Sequence, residues 1–212
     1  MYCPAQFRED RTPVLHDLIR QAGLASFVTF GPDGLVATPV PLLLDPDDGP
    51  YGALSGHMAR ANPQWRHLSG ETPALAIFMG PDAYVSPSWY PSKQETGRVV
   101  PTWNYVAVHA YGPVETFDDP GRLLAQVTAL TDRFEAGRPD PWSVGDAPEA
   151  FIQAQLKGIV GFRMPITRLE GKRKMSQNRP PADRDGVVEG LRHGNAADQE
   201  VAAVVEALNK AR

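Results

Sequence analysis

Apolar and polar positions along this chain alternate in short stretches, most of them too brief for long helices. Leu15, Leu18, Ile19 and Ala22 recur at helical spacing behind a capping Asp10 and a first-turn Pro13, and Gly23 closes that helix. Residues 25–30 read as a strand, followed by a turn at Pro32-Asp33-Gly34. Residues 35–44 resume as a strand in spite of Pro39 and Pro41. Two prolines two apart point to one side and remove ladder donors there. The stretch therefore reads as an edge, a bulge or a ligand-facing segment.

Further along, 51–55 is a short strand and Asn62-Pro63 opens a short helix through 68. Residues 74–78 form an apolar run of strand length, and 83–86 and 99–114 are further strands. Asp119-Pro120 opens the clearest helix, with Leu123, Leu124, Val127, Leu130 and Phe134 on one stripe. A helix over 149–156 precedes a half-buried strand in which Val160, Phe162, Met164 and Ile166 alternate with other residues. After Pro180-Pro181, helical patterns cover 185–192 and 197–210. Six or seven strands among short helices predict an antiparallel barrel with helical additions: a mainly β, α+β chain. The expected division is a barrel domain over 1–180 and a helical C-terminal extension over 181–212. The sequence carries no GxGxxG turn and no Walker A loop.

Composition sharpens this picture. Twenty-one prolines and 19 glycines suit short strands and tight turns. No apolar run nears the ~20 residues of a membrane span, and no basic region precedes an apolar one at the start, so a soluble cytoplasmic protein off the membrane is expected. Cys3 is the sole cysteine, which excludes an internal disulfide and a cysteine metal cage. His16, His57, His67, His109 and His193 form no HxH, HxxxH or HExxH pattern, so no metal site is expected. The net charge of −4 opposes nonspecific DNA binding. Against it stands one basic run, Arg168, Lys172, Arg173, Lys174 and Arg179. It has three readings: a solvated strand end, part of a phosphate site, or a nucleic-acid contact.

The densest chemistry lies at 84–111, which holds two of the four Trp and four of the six Tyr. Ser88, Lys93, Thr102, Asn104 and His109 sit among them. Rings mixed with donors and an ammonium suit a planar polar ligand, and equally the aromatic rim of a barrel. WYPSK and VPTWNY in this stretch, with MYCPAQF at the start, GHMARANPQW at 56–65 and KMSQNR at 174–179, resemble the PaiB-type branch of the FMN-binding split-barrel family. The resemblance covers roughly the first 180 residues, on several ordered motifs. It implies a split-barrel homodimer that binds FMN noncovalently, in a branch often named negative transcriptional regulators. Flavin would then be a sensor or a structural ligand. The alternative is an FMN-dependent oxidoreductase, flavin- or haem-related. The residues show no GxSxG and no paired general acid and base, so catalytic residues stay unassigned and enzymatic activity is open.

FMN needs cations, hydroxyls and N–H groups for its phosphate, and a flat slot with polar edges for its ring. For the phosphate the candidates are His57, Arg60 and Asn62, then Ser88 and Lys93, and also Lys174. Arg60 is otherwise a solvated arginine and Asn62 a helix cap. The resemblance favours Arg60, because the turn after the third strand of these barrels commonly supplies a basic ligand. For the ring, it implies that Thr38, Pro39 and Val40 lie against the isoalloxazine. Trp89, Tyr90 and Trp103 could cover it, with Thr102 and Asn104 at its polar edge. Lys174 and Gln177 are carried over from the resemblance as ligand contacts. The C-terminal helix, with Val201, Ala202, Val204, Val205 and Leu208, offers little polar face for reading DNA and reads as a packing or dimer element.

Overall fold

The structure is a computed structural model that describes residues 1–68 and 72–210. In chain order its elements begin with β1 (Arg8–Glu9), α1 (Thr12–Gln21), β2 (Ala25–Gly31), β3 (Gly34–Val40), β4 (Leu43–Asp45) and β5 (Ala53–Ala59). A 3-10 turn at Pro63–His67 leads to β6 (Ala74–Val85), a second at Pro87–Trp89 to α2 (Ser92–Thr96), then β7 (Thr102–Gly112) and β8 (Glu115–Phe117). α3 (Pro120–Glu135), α4 (Glu149–Leu156), β9 (Ile159–Pro165), β10 (Arg168–Lys174), α5 (Pro181–Arg192) and α6 (Ala196–Lys210) complete it. The sheets are antiparallel and the helices flank them, which is the α+β class the pattern predicts. The chain divides into two compact units.

One unit comprises Met1–Arg11, Met79–Val108 and Glu170–Arg212. Its strands follow the order β1–β10–β7–β6, with Arg8 opposite Lys172. Helices α5 and α6 pack on each other and bury Val187, Val188 and Leu191 with Val201, Ala202 and Val205. Pro181 begins α5 at the position where a missing N–H costs nothing. Gly186 and Gly190, one helical turn apart, make a notch for Trp89. A Cβ on Gly190 would lie 2.3 Å from the indole, and one on Gly186 2.0 Å from the Trp89 carbonyl. Asp183 then fixes Ser92, three residues after Trp89, accepting from its N–H at 3.1 Å and its hydroxyl at 2.7 Å.

The other unit comprises Thr12–Phe78 and His109–Leu169. β2 and β3 form a hairpin in register from Ala25↔Val40 to Gly31↔Gly34, and β2 also pairs with β6 at Phe27↔Ala76. Gly34, directly after the Pro32-Asp33 connection, takes φ +106°, a conformation a side chain would resist. A second sheet runs β4–β5–β9–β8. The Phe27 and Phe162 rings stack at 4.7 Å, among buried Leu15, Ile19, Leu54, Leu123 and Met164. Gly161 is the floor for the Phe117 ring, which a Cβ there would meet at 2.3 Å.

Several elements depart from the periodic reading. The strand expected at 51–55 runs on to Ala59, so His57 lies within β5. The separate strands expected at 74–78 and 83–86 are one strand of 12 residues. Its buried positions are 74, 76 and 78 and then 83 and 85, so the alternation slips by one residue around Gly80-Pro81, as a strand with an extra residue must. The stretch 35–44 divides into β3 and β4, and β3 ends its sheet with β2 as its one neighbour in the order. The basic run becomes a strand, β10.

Candidate functional site

Each unit holds one polar cluster that gathers several of the expected residues. In the second unit it is built on the hairpin and the turn after β5. Asn62 caps that turn, accepting from the Gln64 N–H at 3.0 Å. The turn drives Gln64 inward until it is 1% exposed. There its Nε2 donates to the Phe27 carbonyl at 3.1 Å, the Thr29 hydroxyl at 3.0 Å and, at 3.4 Å, the Val36 carbonyl. Its Oε1 accepts from the Thr38 hydroxyl, and Asn62 Nδ2 donates to the same hydroxyl at 3.2 Å. Thr38 and Asn62, both expected at a ligand, are thus joined by Gln64, which the sequence did not single out. Pro39 is exposed and Val40 buried at the end of the same strand.

His57 and Arg60 have other partners in this unit. His57 Nδ1 lies 2.8 Å from Gln126 Oε1 on α3. Arg60 donates through Nε to the Lys157 carbonyl and through Nη2 to the Ile159 carbonyl, each at 3.0 Å, with Asp118 3.8 Å from Nη1. Its guanidinium holds the entry to β9 in place.

In the first unit the cluster lies at the end of β10. A cleft of about 220 Å³ is lined by Thr102, Asn104, Lys174, Ser176, Asn178 and Arg179, with Val100 and Pro101 as its apolar side. Lys174 Nζ donates to the Thr102 hydroxyl and, at 2.7 Å, to the Trp103 carbonyl. Burial lowers its pKa below the usual lysine range, and the positive charges of Lys172 and Arg179 lower it further. Asn104 and Ser176 exchange hydrogen bonds at 3.1 and 3.2 Å, both buried. Gln177 turns back on its own chain: Oε1 accepts from the Met175 N–H at 2.6 Å and Nε2 donates to the Arg173 carbonyl. That brace holds Ser176 in the left-handed region at φ +61°. Arg179 stacks 4.6 Å over the ring of Tyr90, whose buried hydroxyl has a raised pKa from desolvation.

The remaining candidates of this unit stand apart from the cleft lining. Trp103 is 53% exposed and meets Tyr84 edge-on at 6.1 Å. Trp89 fills the α5 notch. Lys93 donates to the Ser88 hydroxyl at 3.3 Å on an exposed turn. The basic run is largely engaged. Lys172 is buried, with Tyr105 and Tyr2 around its ammonium; Arg173 pairs with Glu9 at 3.5 Å; and Arg168 stacks on Tyr111 at 3.5 Å.

The family described as "Putative FMN-binding domain" matches residues 1–168. This chain belongs to that FMN-binding family. It is 32% identical to the protease synthase and sporulation protein PAI 2 of Bacillus subtilis, over 193 residues covering 91% of this chain and 90% of the relative. An uncharacterized protein of Aspergillus fumigatus is 36% identical over an alignment of 236 residues, covering 90% of each. Among solved structures, the FAD and heme binding protein from Mycobacterium smegmatis shares the fold at a TM-score of 0.58 and 19% identity, covering 79% of this chain and 73% of that one. The fold class is accordingly the flavin-binding split barrel.

The chain's own groups fit the cofactor of the family. Lys174 and Arg179 with hydroxyl and amide donors suit a phosphate, and a cleft of about 220 Å³ admits that group without a ring system. The Thr38–Asn62–Gln64 cluster is uncharged and suits the amide-like edge of a planar ligand. Gln64 and Ser176 lie inside the GHMARANPQW and KMSQNR motifs, yet neither stands out there as a site residue, and only the fold shows one buried and the other left-handed.

Proposed function

We propose that the protein is a cytoplasmic homodimer that holds FMN and acts as a negative regulator of transcription, with flavin as sensor or structural ligand. The observation that carries this reading is Thr38. Its hydroxyl proton is committed to Gln64 and one lone pair to Asn62, so toward a ligand it acts as an acceptor in a fixed direction. A fixed acceptor on an exposed edge strand beside Pro39 holds and orients a ring. When bound, FMN supplies redox chemistry and a colour change, which is what a sensor needs. The similarity to PAI 2, named for protease synthase and sporulation, supports a regulatory role. Direct DNA contact gains little from the basic run, because Arg168, Lys172 and Arg173 already have partners within the protein.

The second reading is a flavin-dependent oxidoreductase. The FMN-binding family match favours it, since a bound flavin would supply redox chemistry. Calorimetry with FMN, FAD and riboflavin, light scattering, and NADH or NADPH consumption under air separate the readings. The regulator is expected to bind FMN tightest, to scatter as a dimer and to consume neither nucleotide beyond the rate of free FMN. Equal affinity for all three flavins, or a monomer at micromolar concentration, counts against it. Sustained nucleotide consumption favours the enzyme.

A further inference from the structure

We propose that the cleft at the end of β10 is a phosphate-monoester site, in which Lys174 and Arg179 supply the charge and Thr102, Asn104, Ser176 and Asn178 the neutral polar groups. The family match ends at residue 168, before four of these six. The expectation for the phosphate centres on Arg60, but its guanidinium already serves two carbonyls with Asp118 beside it. The cleft has the opposite character.

None of its lining residues is acidic, and among the described residues neither Lys174 nor Arg179 forms an ion pair. Lys174 uses two of its three N–H donors, on Thr102 and on the Trp103 carbonyl. The third remains for a ligand. Two further cations, Lys172 and Arg179, act on that ammonium, and burial disfavours its charge. Gathering like charges in a partly dehydrated place costs stability unless an anion joins them, and a phosphate dianion relieves both burial and repulsion. The Arg179 guanidinium lies 4.6 Å from the centre of the Tyr90 ring, which limits where it can go before any ligand arrives. Ser176 is held left-handed by the Gln177 brace and gives its hydroxyl proton to Asn104, which fixes the Asn104 amide at the cleft. Gln177 is on this view a positioning residue and touches no ligand. The cleft volume of about 220 Å³ suits a phosphate group and excludes a three-ring system.

The phosphate could be that of FMN or that of another phosphomonoester, and the site stands on either source. The experiment uses the full chain freed of bound flavin, with Lys174→Met and Arg179→Gln as variants. Calorimetry is run with FMN, riboflavin and inorganic phosphate, and circular dichroism monitors folding. If the phosphate is that of FMN, the wild type prefers FMN to riboflavin by about tenfold or more, as lost charge-assisted bonds imply. Each variant then removes most of that preference, riboflavin affinity stays level, and melting temperatures do not fall. If the source is another phosphate, inorganic phosphate binds even to FMN-loaded protein and both variants abolish that binding, with the FMN-to-riboflavin ratio unchanged. Phosphate binding that responds to the variants, in a protein that binds no flavin, keeps this site and removes the flavin reading. If both variants fold and neither changes the FMN preference nor phosphate binding, the proposal is overturned. Gln177→Ala should lower phosphate affinity and also change backbone amide exchange at 175–177; Gln177→Glu, which keeps the acceptor, should restore part of the exchange protection.

Discussion

Gln64 is buried with a partner for each end of its amide, whereas Lys174 keeps one donor unused and sits among charges of its own sign. Both are polar groups taken out of water, and their surroundings treat them in opposite ways. Around Gln64 the accounting is closed: two strands, a turn and three side chains satisfy one another, so the cluster's first product is rigidity. Around Lys174 it is open, and the excess positive charge there calls for an anion. The Gln64 cluster sets the orientation of Thr38, while the Lys174 cluster has charge and a donor left over for an anion. The same contrast separates the two expected phosphate cations. Arg60 serves two carbonyls with a carboxylate 3.8 Å away, whereas Lys174 serves one carbonyl and a hydroxyl in a cleft lined by no acidic residue.

Substitutions can break this contrast. The largest effect is expected from Gln64→Leu, which keeps the bulk and leaves the Thr38 and Thr29 hydroxyls and the Phe27 carbonyl short of a partner. It should lower the unfolding free energy by about 3 kcal/mol, read from the urea midpoint at constant m-value. A loss under about 1 kcal/mol would mean that water replaces the amide and the cluster is not closed. Next comes Glu9→Gln in the first unit, where a buried carboxylate is paired with Arg11 at 2.8 Å and with Arg173 at 3.5 Å. A cost of about 2 kcal/mol at neutral pH is expected.

The pH dependence of that cost has a definite sign. The hydrogen bond from Arg11 holds the Glu9 carboxyl below the usual carboxylate range, with a smaller contribution from Arg173. A depressed folded-state pKa gives stability that is fully present above the unfolded value and is lost as pH falls through the folded one. Wild type and Glu9→Gln should therefore differ at pH 7 and converge in acid, in melting curves taken from pH 7 down to about pH 2. A gap that stays constant across that range would show that the pairing does not titrate.

Arg60→Ala is expected to cost about 1 kcal/mol of apo stability, since its two carbonyl bonds are half exposed, and to change FMN affinity less than about threefold. A large loss of affinity with no loss of stability would return the phosphate to Arg60 and erase its contrast with Lys174. The smallest effect is that of Lys174→Met on the unliganded protein, within about 0.5 kcal/mol in either direction, because relief of desolvation offsets two lost hydrogen bonds. A severe loss would place Lys174 with Gln64, among the groups that hold the fold.

What the chain revealed in advance was whatever depends on neighbours in sequence. The Pro32-Asp33-Gly34 turn, the helix at 149–156 and the alternation through Phe162 and Met164 are local, and the structure has them in place. The Gly80-Pro81 pair looked like a break because a slipped strand and two short strands have the same local pattern. The Lys174 motif was visible as a polar run, but not the division of labour within it, where Gln177 braces and Ser176 faces Asn104. The partners of Arg60 were hidden for a different reason: the carbonyls it serves lie 97 and 99 residues further on. Trp89, conspicuous as a ring for a ligand, belongs to a glycine notch roughly a hundred residues away, and nothing beside it in sequence points there.

The hairpin strand β3 has one more consequence. Leu35 is 77% exposed, Val36 and Ala37 are also exposed, and the strand ends its sheet. A strand edge with apolar residues on both sides is a template on which further strands add, and it is the place where over-expressed chains begin to clump. Pro39, with no N–H to offer, limits how far such an addition can run toward Val40. The unguarded length is thus the three residues before Thr38. A lysine at position 36 would make that edge repel its own kind, raising the concentration the protein tolerates without touching the Gln64 side chain that reaches the carbonyl of the same residue.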